Sequence, residues 1–200
     1  ADKIGKEYII PTLGVWNSFD EIDFDSLPNQ FVLKCTHDSG GLVICKDKSM
    51  LDKEAAKVKI ERSLATDFYK QGREWPYKNV PRRIIAEQYM EEVSKTDTTD
   101  LIDYKFFCFN GVPTFCQVIR DRSTKETIDF YDMEWNHQEF YGLNPVARNG
   151  LKSVARPVHL DKMIEIATKL SNGMPMSRID LYVINDRAVS YTHLTLPTIR

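Results

Sequence analysis

The chain has 200 residues, of which 42% are hydrophobic and 28% are charged, and its formal net charge at pH 7 is −2. A chain of this length can bury a hydrophobic core, either as one domain or as two small lobes. Because the charge is nearly balanced, electrostatic binding to nucleic acid or to an anionic membrane surface is not expected. No run of about 18 apolar residues occurs, so we also expect no membrane segment.

The first half of the chain is predicted to hold two strands, a helix and a further strand. Residues 31–36 and 42–46 are short β-prone runs on either side of the turn-forming sequence HDSGG, which predicts a strand-loop-strand unit. Over residues 49–68, apolar side chains recur every four positions, which predicts a helix. Residues 82–90 follow two prolines and predict another strand.

The second half is predicted to hold a hairpin, a helix and a final strand. Residues 103–122 form the hairpin, because Asn110 and Gly111 supply the positive φ angles of a tight turn between two aromatic-rich runs. Residues 159–170 have helical spacing, and residues 176–185 alternate with period two. Together these elements predict an α+β protein with helices packed on one side of antiparallel sheets.

The sequence HDSGG suggests a phosphate-binding loop. Backbone N–H groups along a glycine-containing turn can bind phosphate oxygens, and Lys34 on the incoming strand would add a positive charge. An ordinary hairpin with a surface lysine explains Gly40 and Gly41 equally well. Both interpretations stay open on the residues alone.

A second candidate is the end of the predicted strand over residues 82–90. Glu87 and Tyr89 lie on one side of that strand, and a strand end beside a loop commonly binds adenine through backbone groups. An acidic residue at such a place is otherwise simply solvated.

The third candidate is the sequence Arg-Ile-Asp in the final strand. Alternation places Arg178 and Asp180 on one face and Ile179 and Leu181 on the other. An Asp within a strand is unfavourable unless something compensates for it. A structural ion pair with Arg178 and a divalent cation are the two alternatives, and the residues do not choose between them.

The remaining motifs give weaker signals. Four cysteines and four histidines lack the spacings of a disulfide framework or a zinc site, which indicates the reduced thiols of a cytosolic protein. Cys35 and His37 could form a nucleophile and base, but a buried cysteine facing the core is the simpler interpretation. The acidic and aromatic residues over 129–142 have no metal-ligand spacing and could line a substrate groove.

Several long motifs occur in the order that is typical of one protein family. From about residue 5 to about residue 187 the sequence closely resembles the TupA-like ATP-grasp family, found in bacterial gene neighbourhoods for cell-surface polysaccharides. The motifs that carry this resemblance are IIPTLGVW, LPNQFVLKCTHDSGG, REWPYKNVPRRIIAEQYM, DYKFFCFNG, FYDMEW and SRIDLYVI. Several motifs in the correct order are far more specific than a single glycine loop.

The resemblance implies an ATP-grasp fold, in which two α+β lobes with antiparallel sheets clasp ATP. Residues 1–88 would form an N-terminal segment and the smaller lobe with a glycine-containing lid, and residues 89–187 would form the larger lobe. A carboxylate would be phosphorylated by ATP to an acylphosphate, from which an amine displaces phosphate. Phosphoryl transfer of this kind needs chiefly positioning and charge neutralisation.

The resemblance also implies site residues. Arg178 would steady developing charge, Arg120 would be a second catalytic residue on the hairpin that floors the cleft, and Asp180 would bind Mg²⁺. The residues implied for binding ATP are Lys34 for the α- and β-phosphates, Ser39, Gly40 and Gly41 for a flexible lid, Glu87, Tyr89 and Met90 for the adenine, and Lys105 on the cleft floor.

The end of the chain departs from the family pattern. After Asp186 the sequence contains no Asp or Glu, whereas the family closes its metal site with a second carboxylate on the returning strand. Residues 188–200 resemble translated cloning adapter, so we expect a tail that is not native, on a fragment lacking both ends of a longer enzyme. A lone carboxylate holds Mg²⁺ weakly, so the fragment itself should be inactive or very weak.

The expected function is that of an ATP-dependent carboxylate–amine ligase of cell-surface polysaccharide biosynthesis. Its substrate would be a small molecule or a polysaccharide precursor, and neither the acid, the amine nor the oligomeric state is indicated by the sequence. Two alternatives stay open: a catalytically inactive nucleotide-binding or scaffold module, which an authentic acid-free tail would favour, and a sugar transferase of polysaccharide assembly.

Overall fold

Two antiparallel sheets, each with its own hydrophobic cluster, organise the chain into two units. The N-terminal unit is Ile10–Met90, and the C-terminal unit combines Ala1–Ile9 with Glu91–Arg200. The computed structural model describes residues 1–91, 101–122, 124–141 and 153–195, with the backbone alone at 192–195.

The N-terminal unit contains a four-stranded sheet. Its strands are β1 (Thr12–Trp16), β2 (Phe31–Cys35), β3 (Val43–Cys45) and β4 (Ile84–Gln88), and its helices are α1 (Lys53–Ala65) and α2 (Phe68–Gly72). The strand order is β1-β4-β2-β3, and every neighbouring pair is antiparallel. The predicted strand-loop-strand unit and the predicted strand after it are confirmed, with shorter bounds.

Alternation along the strands gives this sheet one buried face. Phe31 and Leu33 of β2 and Ile84 of β4 are fully buried there, because α1 packs against them with Ala56 and Ile60. The side chains that alternate with these on β2 and β4 are only half-buried. The unit therefore has a helix-covered face and an opposite face that its own helices do not cover.

Helix α1 begins four residues later than the repeat of apolar residues predicts. The Asp52 carboxylate accepts a hydrogen bond from the Ala55 backbone N–H at 2.9 Å, which starts the helix at Lys53. An earlier aspartate, Asp47, accepts from the Ser49 backbone N–H at 3.0 Å and caps a separate 3-10 turn, Lys48–Met50. The single helix predicted over residues 49–68 is therefore three elements in the structure: the 3-10 turn, α1 and the start of α2.

In the residues that the structure describes, the C-terminal unit contains a six-stranded sheet and one α-helix. Its strands are β5 (Asp103–Phe109), β6 (Val112–Arg120), β7 (Thr127–Tyr131), β8 (His137–Gln138), β9 (Met176–Ile184) and β10 (Arg187–Thr195), and its helix is α3 (Leu160–Ser171). The strand order is β10-β9-β5-β6-β7-β8. Asn110 and Gly111 have φ angles of 51° and 81°, so the predicted tight turn between β5 and β6 is confirmed.

The two faces of this six-stranded sheet differ in character. On one, the helix-covered face, Phe106 and Leu181 pack against α3 with no exposed surface. On the other, which we call the charged face, Lys105 of β5 stands directly opposite Asp180 of β9. The predicted alternation of Ile179 and Leu181 with Arg178 and Asp180 is confirmed, and it separates apolar from charged side chains.

Strand β10 includes the first part of the predicted tail. Its backbone pairs with β9 in a register that sets Ala188 opposite Val183 and Thr192 opposite Asp180. Because strands pair through backbone groups, the pairing of β10 with β9 does not test whether residues 188–200 are native. The origin of the tail therefore stays a prediction. Within the described ranges, no helix is both long enough and apolar enough to cross a membrane.

Candidate functional site

A buried lysine joins two carboxylates on the charged face. Lys105 Nζ lies 2.8 Å from Asp103 Oδ2 and 2.8 Å from Asp180 Oδ2. The lysine side chain is 10% exposed, and each carboxylate side chain is 1% exposed. The position follows from the register, since Lys105 on β5 is directly opposite Asp180 on β9.

Two arginines add further positive charge to this cluster. Arg178 Nε donates to Asp180 Oδ1 at 2.8 Å, and Arg178 Nη2 donates to Asp180 Oδ2 at 2.9 Å, so the two side chains form a bidentate pair. Arg122 donates to Asp103 Oδ2 at 2.6 Å. Burial is the largest single effect on the pKa of Arg178 and lowers it, but the hydrogen bonds to Asp180 together with the negative charges of Asp180 and Asp103 raise the pKa on balance. Three cations thus face two carboxylates.

A tyrosine from β10 closes the cluster. The Tyr191 hydroxyl donates to Asp103 Oδ1 at 2.8 Å and accepts from Lys105 Nζ at 3.0 Å. Burial, followed by the charge of Asp103, raises the pKa of Tyr191 well above its usual range, so this hydroxyl keeps its proton. Its ring stacks on Tyr182, with the ring centroids 4.2 Å apart.

The N-terminal unit brings together two further predicted residues. Lys34 Nζ lies 2.7 Å from Glu87 Oε2, and their side chains are 28% and 17% exposed. Both lie on the face that the unit's own helices leave open, on the neighbouring strands β2 and β4. Tyr89 and Met90 follow directly after β4 and are half-buried.

The predicted lid is the loop between β2 and β3. Ser39 and Gly40 are exposed at its tip, and Gly41 is half-buried. Gly40 has a φ angle of 97°, a conformation that favours glycine.

The structure does not bring Arg120 to the other predicted catalytic residues. Its position on β6 directs it to the helix-covered face, where it donates to the buried Asp129 at 3.0 Å. The ring of His137 lies 3.0 Å from the same carboxylate. Lys105, Arg178 and Asp180 are on the opposite face of this sheet, so only these three of the predicted residues in the C-terminal unit form one cluster.

The remaining motifs have structural contacts. Cys35 is buried with its Sγ 3.7 Å from the Ile60 carbonyl oxygen, as the simpler interpretation predicts. In the acidic and aromatic run, Asp132 accepts a hydrogen bond from the Asn136 backbone N–H at 2.7 Å, which shapes the turn before β8. The ring of Trp135 stacks on Tyr131 with the centroids 4.4 Å apart.

Sequence reasoning did not identify three members of the cluster. Asp103 and Lys105 are two residues apart on a predicted strand, so the spacing argument applied to Arg178 and Asp180 could have found Asp103. Arg122 lies just beyond β6, and no local pattern indicates its partner. Tyr191 falls in the tail that was predicted not to be native.

Solved structures of ligases share this fold. The D-alanine–D-alanine ligase from Bacillus anthracis complexed with ATP is 13% identical, with a TM-score of 0.50, over 94% of this chain and 48% of that chain. A second structure of the ligase from the same organism is 15% identical, with a TM-score of 0.51, over 96% and 52%. The chain thus spans about half the length of these ligases, and their fold class is ATP-grasp.

The sequence places the chain in one family within this fold class. No curated protein matches it. Residues 1–197 match the sequence model of the family described as TupA-like ATPgrasp, and the chain belongs to that family. The resemblance found from the motifs and the predicted two-sheet α+β fold are both confirmed.

The cluster does not provide a magnesium site as it is arranged. Mg²⁺ requires oxygen ligands in near-octahedral geometry, commonly one or two carboxylates with water and phosphate. Both oxygens of Asp180 already accept hydrogen bonds from Arg178, and one also contacts Lys105. Among the described residues, no group of three or more His, Cys, Asp or Glu side chains could hold a metal.

Proposed function

We propose that this protein is an ATP-dependent carboxylate–amine ligase that acts in cell-surface polysaccharide biosynthesis. The observation that carries the proposal is the cation-rich cluster on the charged face of the C-terminal sheet, in a chain of the ATP-grasp family. In the proposed reaction, a substrate carboxylate oxygen attacks the γ-phosphorus of ATP and ADP leaves. An amine then attacks the acyl carbon, and phosphate leaves as the nitrogen loses a proton.

The cationic side chains would do most to promote phosphoryl transfer. Phosphoryl transfer depends on positioning and on neutralising phosphate charge, which lysine and arginine provide. Lys34 would bind the α- and β-phosphates. The Glu87 carboxylate holds the Lys34 ammonium group over the face of β2 and β4 that the helices leave open. Lys105 and Arg178 would bind phosphate oxygens in place of part of their carboxylate contacts.

The test is ATP binding and turnover with defined variants. Lys34→Ala and Asp180→Ala should each abolish the release of ADP and phosphate that a carboxylate and an amine elicit. Lys57→Ala is the matched control, because this lysine is paired with Asp20 at the surface of α1. Full turnover by either of the first two variants would refute the proposed roles.

A catalytically inactive nucleotide-binding module is the second candidate function. The observation that favours it is that Asp180 is already neutralised by Arg178 and Lys105. Isothermal titration of ATP with and without Mg²⁺ separates the candidates, since the ligase requires the metal to strengthen binding and the inactive module does not.

A further inference from the structure

The loop between β2 and β3 is tied to the end of α1 at two points. The ring nitrogen Nε2 of His37 lies 3.0 Å from the Thr66 carbonyl oxygen, and His37 is 3% exposed. The Ser63 hydroxyl donates a short hydrogen bond to the Asp38 carboxylate. Ser63 is 7% exposed and belongs to the last turn of α1. The half of the loop that leaves β2 is therefore held by the helix.

Gly41 allows the other half of the loop to pack closely against Ser63 and Asp38. A β-carbon placed on Gly41 would lie 2.5 Å from Ser63 Oγ and 2.9 Å from Ser63 Cβ, and would also collide with the Asp38 carboxylate. At Gly40 a β-carbon would meet nothing within 4 Å, and there the φ angle of 97° is what favours glycine. Gly41 is thus required for close packing, whereas Gly40 is required for the turn.

These contacts leave a shorter exposed tip than a lid of three residues. Ser39 and Gly40 are exposed, while both flanking residues contact Ser63 or pack against it. Hydrogen bonds to a charged acceptor are roughly twice as strong as neutral ones. A loop that is already ordered loses less conformational entropy when it binds a ligand.

We propose that Asp38 and Ser63 are positioning residues that hold the β2–β3 loop in its phosphate-binding form, with Gly41 packed against their hydrogen bond. This inference rests on the proposed function, in which the loop covers the phosphates of ATP. The two side chains do not touch the nucleotide; they order the backbone that does.

The experiment combines hydrogen exchange without nucleotide and titration with ATP, both on the full chain. Ser63→Ala and Asp38→Asn remove the hydrogen bond, and Gly41→Ala disrupts it sterically. Each should speed exchange of the amides over residues 37–42 by about tenfold and weaken ATP binding by about tenfold, the effect of losing one such bond. Ser63→Thr keeps the hydroxyl and should retain most of the affinity. Arg62→Ala, exposed on the same helix, is the control.

Hydrogen exchange, ATP affinity and melting temperature separate the possible results. Unchanged exchange and unchanged ATP affinity in both Ser63→Ala and Asp38→Asn would overturn the inference. So would a lower melting temperature with unchanged ATP affinity, because the pair would then only stabilise the packing of α1. If the unmodified chain binds no ATP, the proposed function fails, while faster loop exchange in the variants would still show that the pair orders the loop.

Discussion

At the scale of single residues, the two lysines implied for phosphate binding have different surroundings. Lys105 is nearly buried between Asp103 and Asp180, whereas Lys34 is 28% exposed beside Glu87. Removing one partner from a buried ion pair leaves charge without compensation, and a partly exposed pair is screened by water. The same chemical change should therefore have unequal effects at the two positions.

We predict that Lys105→Met lowers the free energy of unfolding by about 3 kcal/mol or more, because two buried carboxylates then repel each other. Lys34→Met should cost about 1 kcal/mol or less. Urea denaturation of both variants measures the difference. Equal losses would contradict the burial of Lys105.

The cysteines give a prediction about reactivity. Burial is the largest cause that raises the thiol pKa at all four positions, and Cys116 is raised well above its ordinary value. Because the thiolate is the reactive form, a raised pKa leaves less of it at pH 8, and the reaction should speed up only at higher pH. A thiol reagent such as dithionitrobenzoate should modify no cysteine rapidly in the folded chain and all four in denaturant. Rapid modification of one thiol at pH 8 in the folded chain would disprove this.

The residues of the site could be predicted only in part. Spacing along one strand places Arg178 and Asp180 on the same side, and the structure shows them as a bidentate pair. Which strand lies beside β9 is a long-range property, so the contact of Asp180 with Lys105 could not follow from spacing. Arg120 was predicted to belong to the site because it lies on the hairpin of β5 and β6, which the structure confirms. Neighbouring residues of a strand face opposite sides of the sheet, however, and Arg120 lies on the helix-covered face.

At the scale of elements, the start of α1 depends on one aspartate. The Asp52 carboxylate satisfies the Ala55 backbone N–H, which has no partner within the helix. We predict that Asp52→Ala lowers the free energy of unfolding by about 1 kcal/mol, measured by urea denaturation. Asp47→Ala is the control, because Asp47 caps only the 3-10 turn Lys48–Met50. A loss as large in the control would show that helix capping is not the cause.

The sequence indicated the strands more reliably than the boundaries of α1. Alternation in β2 and β9 and the Asn110-Gly111 turn are local signals, and each produced the expected element. The apolar repeat Ala56, Ile60, Leu64 and Phe68 lies wholly after both caps, so it could not show where α1 begins, and it continues past the end of α1 into α2. Strand β10 was not predicted, because most of its residues were assigned to the tail.

At the scale of the whole molecule, the residues implied for ATP binding are divided between the two units. Lys34 and Glu87 belong to the N-terminal unit, and Lys105 and Asp180 belong to the C-terminal unit. The order of the long motifs predicted the ATP-grasp fold, since order reflects the entire chain. Local patterns could not predict that Ala1–Ile9 would join the C-terminal unit.

We predict that ATP slows hydrogen exchange in both units, around the β2–β3 loop and along β5 and β9. At a concentration of 100 times the Kd, ATP should also stabilise the folded chain by about 2.7 kcal/mol. Mass spectrometry of exchanged peptides measures the first effect, with GMP as the control nucleotide. Protection confined to one unit would count against the ATP-binding roles proposed for the residues of the other unit.

The separation of charged and apolar faces also limits how the gene can vary in length. Because side chains alternate, deleting the codon of Ile179 would turn the side chains from Asp180 onward to the opposite face. The carboxylate of Asp180 would then point into the hydrophobic core beneath α3. Leu181 would take its place beside Lys105 and Arg178. Insertions and deletions inside β9 should therefore be tolerated only in pairs, whereas the turn at Asn185 and Asp186 can change length by single residues.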